Sequence, residues 1–391
     1  MAGTKKFFSV LGHGEPWAGL IRNFSQQIRE GLGGDPCDLA IFFVSEPAGN
    51  FDAAGFSRAL YTQLGVRVAI GCASSGVIGG SREIEMEAGI SVMAMHLPGV
   101  KLTPFQISAS DSQYLRTGPE LIQFLDIYPT DKPRFICLAD PATCDIQQLL
   151  SAFNDGYKGL PVIGGLASGG ESNWLSLNGE LVNEGAVGVA LEGDIEFEVT
   201  VSQGCRPIGK PFVITKADDM NLRELSGRPA VEALRELLDT LPARDRELSE
   251  HSLFVGLVMN ESQQSFKRGD FLVRNIMGFD PDSGALVIGA HLRVGQTLQF
   301  QLRDAETSSE DLVALLEKNR PAPGGSSRGA RLVSCTGRGR GLYGEPDHDA
   351  KTVQSLKGPL PLTGFFANGE IGPIGSKNFI HGYTSSLVIL K

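Results

Sequence analysis

The feature that most constrains this chain is a pattern that occurs twice. Leu39 to Val44 (LAIFFV) is a continuous apolar run, the mark of a strand covered on both faces. Phe51 to Leu64 reads as a helix, with Phe56, Ala59, Leu60 and Leu64 on one face and Gly65 after its end. Val66 to Ile70 is a second strand, running into the loop Gly71-Cys72-Ala73-Ser74-Ser75-Gly76. Ile90 to Leu97 and Lys101 to Ile107 are two more strands, joined by the turn Pro98-Gly99. The order then repeats. Arg134 to Leu138 is the apolar strand, and Asp145 is an N-cap with Ile146, Leu149, Leu150 and Phe153 behind it at helical spacing. Pro161 to Ile163 is the second strand, running into GGLASGG, within the stretch Val162 to Glu171. Ala186 to Leu191 and Ile195 to Ser202 form a hairpin around Gly193-Asp194. Gly71 and Gly164 lie 93 residues apart; Glu46-Pro47 and Asp140-Pro141, each after the first strand, lie 94 apart. Order, spacing and punctuation agree on an internal duplication.

Phe7 to Leu11 is a strand, and a helix starting near Pro16 carries the stripe Trp17, Leu20, Ile21, Phe24 and Ile28. A helix at Pro229 to Leu238, with Val231, Leu234 and Leu238 apolar, leads to a charged segment, Ala243 to Glu250, expected as an exposed connection. Strands follow at His251–Met259, Phe271–Met277, Ala285–Ile288 and Gln296–Leu302, with a turn at Asp280 to Gly284. Ser309 to Lys318 is a helix and Pro321 to Gly329 a flexible loop. The last segment reads as a looser third copy. It has a strand at Ala330–Cys335, a helix at Asp347–Leu356, a strand at Leu360–Phe366, a Gly-rich loop, and a final strand at Thr384–Leu390.

Composition bounds the function classes. The chain has 391 residues, room for about two to three domains. Hydrophobic residues are 41% and charged residues 20%, which suits a globular protein that buries a core without staples. A net charge of −10 opposes a phosphate backbone and argues against nucleic acid. No run approaches the ~18 apolar residues of a membrane span, and the start, MAGTKKFFSVLGHGEPW, lacks the apolar core of a signal peptide. Cys37, Cys72, Cys137, Cys144, Cys205 and Cys335 form no CxxC pair, as expected of reduced core thiols. A cytoplasmic location follows.

The candidate site residues come from the Gly-rich segments. A glycine after a strand lets backbone N–H groups approach a ligand. Gly71, Cys72, Ser74, Ser75, Gly76 and Ser168 supply such groups and small hydroxyls. Tight turns needing positive φ explain any single loop as well. In the last copy, Asn368, Gly369 and Glu370 place a carboxylate in an apolar stretch, where it needs a partner. It would hold a ligand amine or cap a backbone group. Cys335 and Arg338 belong to a Gly-rich turn in which an arginine can grip a carboxylate; a solvated surface arginine is the alternative.

Sharper motifs fail. Gly339 to Gly344 fits G-x-G-x-x-G but lacks the following strand–helix alternation. Gly375-Ser376-Lys377 has the wrong order for a phosphate loop, and no G-x-S-x-G elbow surrounds Ser74, Ser75 or Ser168. The six histidines show no metal spacing. Asp347-His348-Asp349 fits a cation site or helix-start aspartates equally. No base–nucleophile pair is readable, so no catalytic role is expected.

Two stretches carry a family likeness. Ile70 to Glu85 (IGCASSGVIGGSREIE) resembles the signature of the FIST N-terminal domain, and Thr363 to Leu390 resembles that of the FIST C-terminal domain. The name stands for F-box and intracellular signal transduction. The resemblance implies a sensory domain for a small ligand, with amino acids a proposed class, and a stand-alone member that signals through a partner protein. It implies domains at 1–228, with modules at about 37–110 and 132–204, and at 229–391. The expected fold is mixed α+β. It has two lobes of mixed β-sheets flanked by helices, with the N-terminal half built from a duplicated strand–helix–strand–loop–hairpin module. No cofactor is expected. Some FIST-like members bind haem as gas sensors, which makes His381 an axial-ligand candidate in that alternative. An interaction scaffold without a small ligand is the other.

Overall fold

The computed structural model describes residues 3–14, 16–47, 51–170, 173–280, 283–318 and 328–391. Residues 321–327 of the expected loop, Pro281 and Asp282 of the expected turn, and Glu171 lie outside them.

In chain order the elements begin with β1 (Lys6–His13), α1 (Trp17–Gly31), β2 (Leu39–Ser45), α2 (Ala53–Leu64) and β3 (Val68–Ser74). Next come β4 (Gly76–Gly79), β5 (Arg82–Glu85), β6 (Gly89–His96), β7 (Lys101–Ile107), α3 (Ala109–Tyr114) and α4 (Gly118–Leu125). A second run holds β8 (Arg134–Ala139), α5 (Ile146–Gly156), β9 (Val162–Leu166), β10 (Leu175–Leu177), β11 (Glu180–Val182), β12 (Ala186–Glu192) and β13 (Phe197–Gln203). Then follow β14 (Cys205–Pro207), β15 (Phe212–Asp218), β16 (Asn221–Leu225), β17 (Arg228–Pro229), α6 (Ala230–Thr240) and α7 (Ala243–Ser252). β18 (Leu253–Val258), β19 (Phe271–Asp280), β20 (Ala285–Ile288), β21 (Thr297–Arg303) and α8 (Ala305–Lys318) come next. The chain closes with β22 (Gly329–Cys335), α9 (Arg340–Tyr343), α10 (His348–Lys357), β23 (Leu362–Ala367), β24 (Glu370–Ile374), β25 (Lys377–His381) and β26 (Thr384–Leu390). The fold is mixed α+β, with mixed sheets and flanking helices.

The chain forms two compact units. The first takes residues 1–201, 313–380 and 384–391; the second takes 202–312 and 381–383.

The described residues of unit 1 form three six-stranded sheets of one plan. Their orders are β1-β6-β2-β3-β10-β11, β7-β12-β8-β9-β24-β25 and β13-β26-β22-β23-β4-β5. Each centres on a parallel pair: β2 with β3, β8 with β9, β22 with β23. The apolar runs explain why these strands sit in the middle. Along β2, Ile41 and Phe43 enter a central cluster, while Ala40, Phe42 and Val44 face Leu20, Phe24 and Phe56 of α1 and α2. Both faces are covered, so the run is apolar throughout. In β8, Ile136 and Leu138 join the same central cluster, and Phe135 and Cys137 pack under Leu149 and Phe153 of α5. Val333, Phe365 and Val388 bring in the third sheet. Asp145 caps α5 by accepting from the Gln148 N–H, as the sequence predicts.

The sheets are completed by exchange. The β4–β5 hairpin follows β3 but β4 pairs with β23; β10 follows β9 but pairs with β3; β24 follows β23 but pairs with β9. The expected hairpins differ for the same reason. β6 pairs with β1 and β2, while β7 pairs with β12; β12 pairs with β7 and β8, and β13 adds to β26. Pro98-Gly99 shows that the chain turns, not where it returns, and both edges of β6 are already taken.

In unit 2, β21-β15-β16-β20-β19-β18 form a sequence of paired strands, and β18 pairs with β21 to close it into a barrel. Phe212, Ile214, Leu286, Leu298 and Phe300 contribute to its core. α6 buries Ala230, Ala233 and Leu237. That face lies one residue round from the expected stripe of Val231, Leu234 and Leu238, because the small alanines allow the closest approach. The segment 243–250, expected as a connection, lies in α7, none of whose residues is buried. A helix with no apolar face gives no period to read. It is anchored by Arg206, which donates to Asp245 at 2.6 and 3.1 Å.

Candidate functional site

The Gly-rich segments are strands for most of their length. Gly71, Cys72 and Ser74 continue β3, Gly76 opens β4, Gly164 and Gly165 continue β9, and Glu370 opens β24. Gly71, Gly164 and Gly364 serve close approach and not positive φ, whereas Gly80, Gly170 and Gly375 take positive φ of 58°, 69° and 61°. A Cβ on Gly71 would lie 2.4 Å from the Phe42 ring, one on Gly164 1.6 Å from the Cys137 carbonyl oxygen, and one on Gly364 1.8 Å from that of Leu332. Each glycine faces that residue across its parallel pair.

All the candidate residues named from the three segments lie in unit 1, and several meet at the carboxyl ends of the parallel strands. The Ser75 N–H donates to Ser168 Oγ at 3.0 Å, and Ser168 Oγ donates to the Phe366 carbonyl. The Ser168 N–H donates to Ala73 O at 3.2 Å. Asn368 donates from its N–H to Leu166 O and from Nδ2 to Ala167 O, both at 3.2 Å. Gly369 returns a carbonyl to the Leu166 N–H at 2.9 Å. Ser74 Oγ donates to Val44 O at 3.1 Å. Cys72 is fully buried, and burial pushes its thiol far up. These groups splice three strand ends together.

Arg338 and Glu370 sit in a buried ionic cluster. Arg338 is held by Asp349 and donates from Nη2 to the Tyr343 hydroxyl at 2.6 Å. Tyr343 stacks on His348 with centroids 3.5 Å apart, and His348 Nδ1 lies 3.0 Å from Asp349. Burial alone would raise the Asp349 carboxyl; the Arg338 guanidinium and the hydrogen bonds from His348 and Arg338 outweigh it and hold the group well below the usual range. Glu370, fully buried, accepts from Thr384 Oγ1 at 2.6 Å and its N–H at 3.2 Å; burial pushes it up to about 8. Glu83 is pushed up to about 8 by burial and by the Asp349 charge, and accepts the Ala350 N–H at 2.9 Å. Cys335 is buried at the end of β22. Asp347, expected at a helix start, accepts the Glu83 N–H at 2.7 Å. Among the described residues no group of His, Cys, Asp and Glu is placed to hold a metal ion. His381 is buried at the end of β25, and neither of the two cavities described next is lined by it.

Two cavities lie at the carboxyl ends of β2 and β3, where parallel sheets place ligands. A cavity of about 240 Å³ is lined by Val44, Glu46, Phe51, Ala73, Ser74, Gly169, Asn173, Trp174, Leu181 and Asn183. A second, of about 130 Å³, shares Val44, Glu46 and Phe51 and adds His13, Trp17 and Ser45 among others. Phe51 and Trp174 stack with centroids 6.3 Å apart. Asn173 donates from Nδ2 to Asp140 at 3.3 Å, while its Oδ1 is buried without a hydrogen-bond partner among the described residues. Among the described residues lining the larger cavity, Glu46 is the one with a formal charge.

Sequence reasoning missed Glu46, Asn173 and Trp174 as site residues. The available signal was the acidic-Pro pair after the first strand of each module. Glu46 lines the cavity and Asp140 orients Asn173.

The FIST N domain matches residues 38–228 and the FIST C domain residues 230–373. An uncharacterized protein of Mycobacterium tuberculosis (strain CDC 1551 / Oshkosh) is 36% identical over 367 residues, covering 93% of each chain. Another, from Mycobacterium tuberculosis (strain ATCC 25618 / H37Rv), is 35% identical over 364 residues, covering 92% of this chain and 93% of that one. A solved structure titled for cyanuric acid hydrolase and structural concatenation aligns over 99% of each chain at 10% identity, with a TM-score of 0.31, too low to carry an argument. On both its domains and its relatives, the chain belongs to the FIST family.

Proposed function

We propose that the protein is a sensor that binds a small polar molecule, an amino acid or a similar amine, in the 240 Å³ cavity at the ends of β2 and β3. FIST domains are generally signal-transduction sensory domains thought to bind small ligands. The observation that carries the reading is the Asn173 Oδ1 acceptor, buried and without a hydrogen-bond partner among the described residues, in the wall of a cavity that the Glu46 carboxylate also lines. An ammonium group gives that acceptor a donor and is drawn to the Glu46 charge; a buried acceptor left unmade costs about 1–3 kcal/mol. Phe51 and Trp174 then cover the apolar part of the ligand, and an ammonium beside a ring face gains further. The volume is below the ~300–1,000 Å³ of drug-sized pockets, which suits a molecule of amino-acid size.

Of the residues singled out in the Gly-rich segments, Ser74 lines the cavity. In this reading Ser75, Ser168, Asn368 and Gly369 fix the strand ends behind it, and Arg338, Cys335 and Glu370 hold the third sheet's end rigid. The two matching modules are read as an internal duplication in which one acidic-Pro pair became a ligand group and the other its support. The six buried cysteines, none of them in a disulfide, suit a reducing, cytoplasmic setting, and output passes through a partner protein.

Native mass spectrometry of the purified chain, followed by isothermal titration with the amine so identified, tests the proposal. Glu46→Gln and Asn173→Ala should each weaken binding at least tenfold. Unchanged affinity in both variants removes the cavity as the site. A haem mass would favour the haem alternative, and no bound mass together with no amine binding would favour the scaffold.

A further inference from the structure

Arg331 is on β22, in register with Thr363 and Val388, and is 1% exposed. Strand residues alternate faces, so Arg331 shares a face with Val333, and Val388 lies beside it. Both valines belong to the central cluster where the three sheets of unit 1 meet. Registers identify its counterparts. Each module has a first-strand residue facing a glycine: Phe42 with Gly71, Cys137 with Gly164, Leu332 with Gly364. The residues preceding these are Ile41, Ile136 and Arg331. Two sheets place a fully buried isoleucine where the third places a guanidinium.

Among the described residues nothing neutralises that charge. Nε, Nη1 and Nη2 are all buried without a hydrogen-bond partner. The groups acting on it are the thiols of Cys72 and Cys137, one from each of the other sheets. Burial pushes both thiols far up, so they are neutral at physiological pH. Burial also pulls Arg331 down, to about 9, which leaves it protonated at pH 7. Ser386 Oγ, on the residue paired with Val333, is a second buried group on this face with no partner. A buried cation without an anion is among the costliest arrangements in a core.

We propose that a small inorganic anion of halide size occupies the centre of unit 1, held by the Arg331 guanidinium with the Ser386 hydroxyl as a second donor. Size follows from burial. Arg331 and its neighbours are sealed from solvent, and it lines neither described cavity. The anion therefore enters as the chain folds and stays, as a structural ion distinct from the ligand of the outer cavity.

The test uses the full chain, unfolded in urea and refolded in chloride or in gluconate at equal ionic strength. The wild type refolded in chloride should be the more stable. Its apparent unfolding constant should fall tenfold for each tenfold rise in chloride above saturation, the slope of one bound ion. Arg331→Met should fold to the same stability in both salts. Crystals of the wild type refolded in bromide should show an anomalous peak within hydrogen-bonding distance of Arg331, a readout that does not need the variant to fold. No such peak, together with halide-independent stability of the wild type, overturns the proposal. A chloride effect retained in full by Arg331→Met also overturns it.

Discussion

Arg338 and Asp349 are joined by two parallel hydrogen bonds, Nε to Oδ2 at 2.8 Å and Nη2 to Oδ1 at 3.0 Å, with both side chains out of solvent. The planar fork meets a carboxylate edge to edge. Asp349 also accepts from Ser334 Oγ at 2.8 Å, which ties the pair to β22.

Breaking this pair from one side leaves a buried charge. Asp349→Ala should cost about 3–5 kcal/mol of stability, read by urea unfolding. Arg338→Met combined with Asp349→Leu should be milder than Asp349→Ala, because no orphan charge remains. A double variant as unstable as Asp349→Ala would place the cost in packing instead.

Glu370 makes stability fall as pH rises. Its carboxyl moves from an ordinary 4.5 to about 8 in the fold, chiefly by burial. Between those values the folded chain holds a proton that the unfolded chain has released. The contribution is complete below about pH 4.5 and drains toward pH 8, by at most about 1.4 kcal/mol per pH unit. Glu83 acts with the same sign. Urea unfolding across this range should show a shallower decline for Glu370→Gln than for the wild type. Equal slopes would mean that Glu370 is ionised in the folded chain.

Gly164→Ala should destabilise by about 1–3 kcal/mol or more, since the new methyl meets the Cys137 carbonyl at 1.6 Å, backbone that cannot swing aside. Gly341→Ala has open space around it and should be near neutral. Thermal melts of the two variants compare a packed strand glycine with a free one.

Ser168→Ala removes the acceptor of the Ser75 N–H and the donor to Phe366 O. The expected loss is about 1–3 kcal/mol, with faster amide exchange at Ser75. Unchanged exchange there would show that solvent already supplies the partner.

The strands of unit 1 were legible because their residues alternate between two apolar environments. Ile41 and Phe42 point opposite ways, yet both are buried. Asp145 was legible because a cap is local. Partners were not. The glycines of Gly71–Gly76 and Gly164–Gly165 look like loop residues, but they mark where one strand presses on the next. Lys101–Ile107 carries no sign of which sheet it joins. Arg338 reads as a grip on an outside carboxylate, because Asp349, eleven residues on, looks like an ordinary helix-start residue. Glu46 and Asn173 sit 127 positions apart and come together only when β10 is laid against β3.

The exchange of strands among the three sheets sets a timetable for synthesis. The sheet centred on β8 and β9 gains its next strand from β24, at residues 370–374, so a ribosome that has made only the first half of the chain exposes an open β9 edge. β23 likewise stays unmade while β4 waits for it. Unit 1 therefore cannot finish folding module by module as it emerges, and the nascent chain must keep two sheet edges from foreign partners until its last strands arrive.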